Sequence, residues 1–197
     1  MAIEAIAGRI GADLRLEGRD WPLDPTLVPA LPGAHQVRNA NLAWQMLAAQ
    51  DRLRVSDERF RRAIATALWP ARFQRLANGP LTRGVETWLD GAHNPDAAVA
   101  LAALLERRGP MHIVLGILAN KDATAIVEAL APHALSLTFV PIPDHDAHDP
   151  QALAARFNGY AAASLEEALD QLPAPRLIAG SLYLAGHALS LNGEVPD

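Results

Sequence analysis

The 197-residue sequence contains no cysteine, and Lys121 is its only lysine. The first absence excludes a disulfide framework, a thiolate metal site and a cysteine nucleophile. The second means that any reaction requiring a lysine amine has one candidate in this chain. No segment reaches the roughly 18 consecutive apolar residues that cross a membrane. The first ten residues also lack the basic and then apolar pattern of a secretion signal, so we expect a cytoplasmic protein without a membrane partner.

Basic residues are fewer than acidic ones, 17 against 22. The formal net charge is −5, while half of the residues are hydrophobic and a fifth are charged. This balance is typical of a globular chain with one large domain, or with one domain and part of another. Because duplex binding needs a basic face, the charge argues against nucleic acid as the main partner.

Three phosphate and nucleophile motifs are missing from the 197 residues. No Gly-x-x-x-x-Gly-Lys-Ser/Thr phosphate loop occurs, and no Gly-x-Gly-x-x-Gly follows a predicted strand. The segment 180–186 has glycines at its ends but the wrong spacing for either motif. The absence of Gly-x-Ser-x-Gly argues against an α/β-hydrolase.

Residues 1–68 differ in pattern from the remainder. Apolar spacing predicts helices at 2–11, 39–50 and 56–68, and a short strand at 13–16. These elements are too few for a well-packed core of their own. Trp69-Pro70 then marks a boundary, because proline disfavours helical geometry in the residue before it. We therefore expect 1–68 to be the tail of a larger domain and 69–197 to be a second domain.

Beyond residue 69, predicted strands alternate with predicted helices, which is typical of an α/β fold with a mostly parallel sheet. Strands are predicted at 73–77, 85–89, 112–117, 136–142 and 176–179. Helices are predicted at 96–108, 123–131, 150–157, 165–171 and 182–190.

The most informative segment is Trp-Leu-Asp-Gly-Ala-His-Asn-Pro at 88–95. An apolar strand ends in Asp90, and a helix opens at Asn94-Pro95. In open α/β sheets, ligands bind where the strands end. The loops 90–95, 116–122, 141–149 and 180–186 should therefore meet at one edge of the sheet. There Asp90 is well suited to accept hydrogen bonds from two sugar hydroxyls.

Acids and imidazoles are crowded together in Asp-His-Asp-Ala-His-Asp at 144–149. The residue types fit a metal site, whereas their close spacing is more typical of an exposed loop. Both interpretations stay open, and the second is preferred.

Four motifs, in order, resemble the C-terminal part of the folylpolyglutamate synthase/dihydrofolate synthase family of the Mur ligase superfamily. They are Leu-Pro-Gly-Ala-His-Gln-Val-Arg-Asn-Ala at 31–40, Trp-Pro-Ala-Arg-Phe at 69–73, Leu-Asp-Gly-Ala-His-Asn-Pro at 89–95 and Gly-Ser-Leu-Tyr-Leu-Ala-Gly at 180–186. The third is highly specific, and the resemblance covers nearly the whole chain.

The resemblance implies an ATP-dependent ligase that phosphorylates a folate or dihydropteroate carboxylate and then joins L-glutamate to it. It implies that Asn39 contacts the adenine, Arg72 the phosphates and Asp90 the ribose hydroxyls. His93 and Ser181 would line the glutamate site, with Arg72 and His93 as the catalytic residues. The fold implied for 69–197 is a Rossmann-like ligase domain.

In that family, an N-terminal ATPase domain carries the phosphate loop and the Mg²⁺ ligands. Residues 1–68 would be the tail of this domain, whose phosphate loop is absent from the sequence. We therefore expect the 197-residue chain to be inactive in isolation. Two alternatives remain: a stand-alone, non-catalytic ligand-binding module of the same fold, and another Mur-type amide ligase that acts on a cell-wall precursor.

Overall fold

The computed structural model describes residues 2–194, which form two compact units. One unit contains Ala34–Ala67 and the chain up to Ala30, and the other contains Leu31–Gly33 and the chain from Leu68 onward. The main division therefore falls between Ala67 and Leu68, beside the Trp69-Pro70 pair. None of the helices in the described residues combines the length and the apolar character that a membrane crossing requires.

The first unit is built from three helices, α1 (Ala2–Ile10), α2 (Ala34–Ala48) and α3 (Asp57–Thr66). Its small core joins α2 to α3, where the rings of Trp44 and Phe60 lie 4.9 Å apart between centroids. The start of α3 is capped by Ser56, whose side chain accepts the N–H of Arg59 at 3.3 Å. This bond satisfies one of the backbone donors that a helix N-terminus leaves free.

Two predictions for this unit are wrong. The strand predicted at 13–16 does not form. The chain instead turns at Gly18, and an isolated bridge joins Glu17 to Trp21. The helix predicted to start at Asn39 begins five residues earlier, directly after Gly33. The polar residues of its first turn hide the helical period from a reading of the sequence.

The second unit has a six-stranded sheet with the order β1-β2-β6-β3-β4-β5, flanked by five α-helices. The strands are β1 (Gln74–Arg75), β2 (Thr87–Leu89), β3 (Met111–Leu115), β4 (Ala134–Phe139), β5 (Tyr160–Ala161) and β6 (Arg176–Ala179). The helices are α4 (Pro95–Arg108), α5 (Ala123–Leu130), α6 (Pro150–Phe157), α7 (Leu165–Asp170) and α8 (Leu182–Asn192). Only β1 is antiparallel to its neighbour, so the predicted mostly parallel α/β sheet is confirmed.

Both faces of the sheet are covered, which accounts for the continuous apolar run at 113–118. On β3, Ile113 and Leu115 enter one buried cluster with residues of α4 and α5. Val114, between them, enters a second cluster with residues of α7 and α8. All three side chains are fully buried. Because successive residues of a strand face opposite sides, this burial requires a covering layer on each face of the sheet.

The strand Arg176–Ala179 has the predicted bounds, whereas the other predicted strands differ by one to three residues at one or both ends. The strand expected at 73–77 contains only Gln74 and Arg75, and it starts after Phe73 because that residue has a positive φ of 47° and leaves the extended conformation. The strand Tyr160–Ala161 was not predicted. It is two residues long at the edge of the sheet, and Tyr160 is exposed, so no apolar alternation marks it.

A buried arginine anchors the β6 strand to its surroundings. Arg176 is 3% exposed and donates to Thr87 Oγ1 at 2.8 and 3.0 Å, to Leu169 O at 2.8 Å and to Thr82 O at 2.9 Å. Burial lowers the pKa of this guanidinium, against an opposing attraction from Asp170. The guanidinium thus joins β2, β6, α7 and the loop that precedes β2.

Candidate functional site

The loops that follow β2, β3, β4 and β6 are joined by hydrogen bonds at one edge of the sheet, here called the carboxyl edge. Gly180 N–H donates to Ala92 O at 2.9 Å and links the β6 loop to the β2 loop. His148 N–H donates to Ile117 O at 2.9 Å and links the β4 loop to the β3 loop. The predicted convergence of these loops is confirmed.

Gly180 allows two of these loops to touch. Its φ is +102°, which L side chains rarely adopt, and a Cβ added to it would lie 2.6 Å from the carbonyl oxygen of Gly116. A backbone oxygen cannot withdraw as the end of a side chain can. A glycine is therefore required at this approach between the loops after β3 and β6.

Asp90 lies at the end of β2 and holds two backbone segments together. One carboxylate oxygen accepts the N–H of Phe73 at 2.8 Å, and the other accepts the N–H of Ala92 at 2.8 Å. Burial raises the pKa of Asp90, and these two hydrogen bonds and the nearby charge of Arg72 only partly oppose that shift. Each oxygen keeps a lone pair for a further donor such as a sugar hydroxyl.

The backbone on both sides of Arg72 has an unusual conformation. Ala71 and Phe73 have φ values of 56° and 47°, and both are buried. Such residues cost about 1–3 kcal/mol each and persist only where their surroundings hold them. Ala71 N–H donates to Gln74 Oε1 at 3.1 Å, and Ala71 O accepts the N–H of Gly91 at 2.8 Å. We call residues 71–73 the arginine arch.

The Arg72 side chain of this arch is half-buried and lies beside the loop after β2. Its Nη1 donates to Ala71 O at 3.3 Å. The same nitrogen lies close to Gly91: a Cβ added to that glycine would be 3.2 Å from it and would also collide with Leu182. The other N–H groups of Arg72 have no protein acceptor within residues 2–194. A guanidinium with free donors beside a strand-terminal carboxylate is suited to bind an anionic ligand.

A stack of side chains that the sequence analysis missed lies next to the arch. The rings of Phe73 and Trp88 are stacked at 4.9 Å and 23°, and the Arg108 guanidinium lies 3.9 Å from the Trp88 ring centroid. We call these three residues the aromatic stack. Its members come from the arch, β2 and the end of α4, so no sequence motif unites them.

His93 is half-buried in the loop after β2. Its Nδ1 lies 2.8 Å from Gly91 O. Because a carbonyl can only accept, Nδ1 must carry the proton, and Nε2 carries the lone pair of the neutral ring. The neighbouring Asn94 caps α4 by accepting the N–H of Ala97 at 2.9 Å, with Pro95 in the first turn as predicted.

Ser181 is fully buried at the start of α8. Its hydroxyl oxygen accepts the N–H of Tyr183 at 3.1 Å and thereby caps the helix. The hydroxyl is buried in this arrangement, and its direct contact with a substrate stays a prediction. Tyr183 itself is exposed, and its ring lies 3.8 Å from that of His145 between centroids.

The acidic and histidine-rich loop is held by contacts within the protein. His148 Nε2 donates to Lys121 O at 3.0 Å, and His145 Nδ1 donates to Pro143 O at 2.7 Å. Within the described part of the chain, no group of three or more His, Asp or Glu side chains is arranged to hold a metal ion.

Asn39 belongs to the first unit, where it is exposed on α2. Its Nδ2 donates to Gln36 Oε1 at 3.1 Å, one turn earlier in the same helix. Its predicted contact with adenine stays a prediction.

Together, the mostly parallel sheet and the polar loops at its carboxyl edge form a Rossmann-like domain with a candidate ligand site at that edge. Sequence comparison then assigns the family. The chain belongs to the family described as Mur ligase, glutamate ligase domain, whose model matches residues 71–184.

Three relatives illustrate the similarity. The chain is 32% identical to a folylpolyglutamate synthase of Lacticaseibacillus casei, over 89% of this chain and 42% of that one. A Mycobacterium tuberculosis folylpolyglutamate synthase complexed with ADP and AMPPCP superposes with a TM-score of 0.84 at 24% identity, over 99% and 53% of the two chains. A Yersinia pestis bifunctional enzyme complexed with AMPPNP and Mn gives 0.74 at 23%, over 96% and 50%. The chain thus spans about half the length of these relatives.

Proposed function

We propose that this chain forms part of an ATP-dependent ligase that joins L-glutamate to folate or dihydropteroate. The supporting observation is the arginine arch, a strained backbone segment that presents Arg72 beside Asp90 on the carboxyl edge. Membership of the glutamate ligase family and the 32% identity to a folylpolyglutamate synthase support the same reaction.

In the proposed reaction, ATP supplies a phosphoryl group to the folate carboxylate, and the amine of glutamate then displaces phosphate. Arg72 would direct its free N–H donors at the phosphoryl oxygens and stabilise the charge that grows on them. Asp90 would accept the ribose hydroxyls on the lone pairs that Phe73 and Ala92 leave free. Its two bonds to backbone N–H groups hold the carboxylate ready for that contact.

His93 would act on the incoming glutamate. Because Gly91 O fixes the Nδ1 proton, the lone pair of Nε2 is available to accept a hydrogen bond from the glutamate amine. The same nitrogen would take a proton from the glutamate ammonium ion, which leaves a nucleophilic amine and a protonated imidazole. Ser181 would contribute by fixing the start of α8, and with it the exposed Tyr183.

The described residues do not supply a metal site, so no step of the proposal uses Mg²⁺ bound by them. The 197 residues also contain no phosphate loop. We therefore assign the metal and the triphosphate cradle to a separate ATPase domain, of which residues 1–68 would form the last part. Asn39, exposed on α2, is the proposed adenine contact within that part.

The proposal is tested by following the ATP-dependent transfer of labelled glutamate onto dihydropteroate and onto tetrahydrofolate. We expect transfer when the 197-residue chain is joined to a phosphate-loop half, and none from the purified chain alone. Transfer by the isolated chain would contradict the division of labour. Activity of the joined protein with muramyl peptides, and not with folates, would instead identify another Mur-type ligase.

A further inference from the structure

The arginine arch raises a physical question, because two of its three residues have a backbone conformation that L residues avoid. Asp90 and Gln74 restrain the N–H groups of Phe73 and Ala71. Those bonds restrain the backbone only. The side-chain ring of Phe73 has no polar group, so no hydrogen bond restrains its position.

The Phe73 ring is placed by Trp88. The two rings stack at 4.9 Å and 23°, and Phe73 is 7% exposed. Trp88 lies in β2 and pairs with Arg75 on one side and Leu177 on the other, so its backbone is fixed between two strands.

A cation also packs on the Trp88 ring. The Arg108 guanidinium lies 3.9 Å from the ring centroid, at the C-terminus of α4. Glu86 then holds both groups, since its Oε1 accepts from Trp88 Nε1 at 2.8 Å and from Arg108 Nη2 at 3.2 Å. The packing contacts and the hydrogen bond of its Nε1 therefore fix the orientation of the Trp88 indole ring.

We propose that the aromatic stack of Phe73, Trp88 and Arg108 positions Arg72 for catalysis, an inference that rests on the proposed contact of Arg72 with phosphate. If φ of Phe73 returned to negative values, its ring would swing away from Trp88. The stack therefore opposes relaxation of the arch and keeps the Arg72 side chain beside Gly91. Trp88 and Arg108 act as positioning residues and need no contact with substrate.

The chain offers a matched control on the same side of the sheet, beside β4 and three strands away from β2. Phe157 packs against Phe139 with ring centroids 6.3 Å apart, and the Arg156 guanidinium lies 5.1 Å from the Phe157 ring. Phe157→Ala therefore removes an aromatic contact with a neighbouring cation without touching the arch. Trp88→Phe is the conservative variant, because it keeps a ring for Phe73 to stack on.

The first measurement is amide hydrogen exchange in the 197-residue chain, which needs no ligase activity. In Trp88→Ala we expect exchange of the Phe73 amide to accelerate about tenfold or more, since its bond to Asp90 opens when the arch relaxes. Trp88→Phe should restore most of the protection, and Phe157→Ala should leave the Phe73 amide unchanged. Unaltered exchange in Trp88→Ala would overturn the proposal.

The second measurement is steady-state kinetics in the ligase that contains this chain. We expect Trp88→Ala to lower kcat about tenfold or more while KM for ATP changes little, because a displaced Arg72 loses contacts made in the transition state. Phe157→Ala, at equal loss of stability, should keep kcat. A fall in kcat common to both variants, or an unchanged kcat in Trp88→Ala despite faster exchange, would show that the stack serves stability alone.

The two measurements separate this inference from the proposed function. If the wild-type ligase fails to transfer glutamate, the proposed function fails, whereas hydrogen exchange still reports whether the stack holds the arch.

Discussion

Asp90 accepts the backbone N–H of Phe73 at 2.8 Å, across 17 positions of the sequence. The same carboxylate accepts the N–H of Ala92, so it joins the arginine arch to the loop after β2. A residue whose type suggests a ligand contact is therefore also a structural clamp. Substitution of Asp90 should affect both stability and nucleotide binding.

The raised pKa of Asp90 makes a prediction about stability and pH. Because burial raises the pKa in the folded protein, the folded state retains a proton that the unfolded chain has released. The free energy of unfolding of the wild type, relative to Asp90→Asn, should therefore be greatest below the ordinary pKa of 3.8 and decline as the pH rises through the raised value. Denaturant titrations at a series of pH values measure this difference.

Glu86→Gln should show the opposite dependence of stability on pH, in the same unit of the protein. Hydrogen bonds from Trp88 and Arg108 lower the pKa of Glu86. Relative to Glu86→Gln, the wild type should thus lose stability as the pH falls through the lowered pKa. For Asp90, a difference in stability between wild type and Asp90→Asn that does not change with pH would contradict the raised pKa.

Arg72→Ala should slow the ligase by about 10²–10³-fold in kcat and change KM for ATP much less, as expected for a donor that acts on transition-state charge. Arg72→Lys should recover only part of the rate, because an ammonium cannot reproduce the planar fork of donors. Initial rates of glutamate transfer over a range of ATP concentrations separate the two constants. Wild-type kcat in Arg72→Ala would remove Arg72 from the mechanism.

Arg176→Met should destabilise the second unit by about 3 kcal/mol or more, since it leaves buried carbonyl oxygens without a donor. Arg83→Met is the control. Arg83 makes an ion pair with Asp170 at 2.8 Å, but both side chains are largely exposed. Its loss should cost less than about 1 kcal/mol. Equal costs in urea denaturation would contradict the role given to the buried guanidinium.

Gly180→Ala should destabilise the protein by about 2 kcal/mol or more, because it combines a positive φ with a collision against Gly116 O. Gly186→Ala, within α8, has no neighbouring atom within 4 Å of the added Cβ and should stabilise by about 0.5–1 kcal/mol. Thermal unfolding of both variants tests the contrast. A neutral Gly180→Ala would show that the two loops can separate without cost.

The sequence was sufficient for the regular elements of the second unit whose pattern is long or strongly apolar. The helix Pro150–Phe157 and the strand Arg176–Ala179 have the predicted bounds. Prediction failed where local conformation depends on distant partners. The strand expected from Phe73 is shortened because Asp90 and Trp88 hold Phe73 in the left-handed region.

The candidate site divides in the same way. The sequence by itself determined the sheet edge and the types of side chain available there, because strand ends and helix starts follow from local patterns. Only the tertiary structure decided what those side chains do: that Asp90 clamps backbone, that Ser181 is buried as a cap, and that Trp88 packs against both Phe73 and Arg108. The physical reason is that burial and hydrogen bonding depend on neighbours far away along the chain, which local periodicity does not encode.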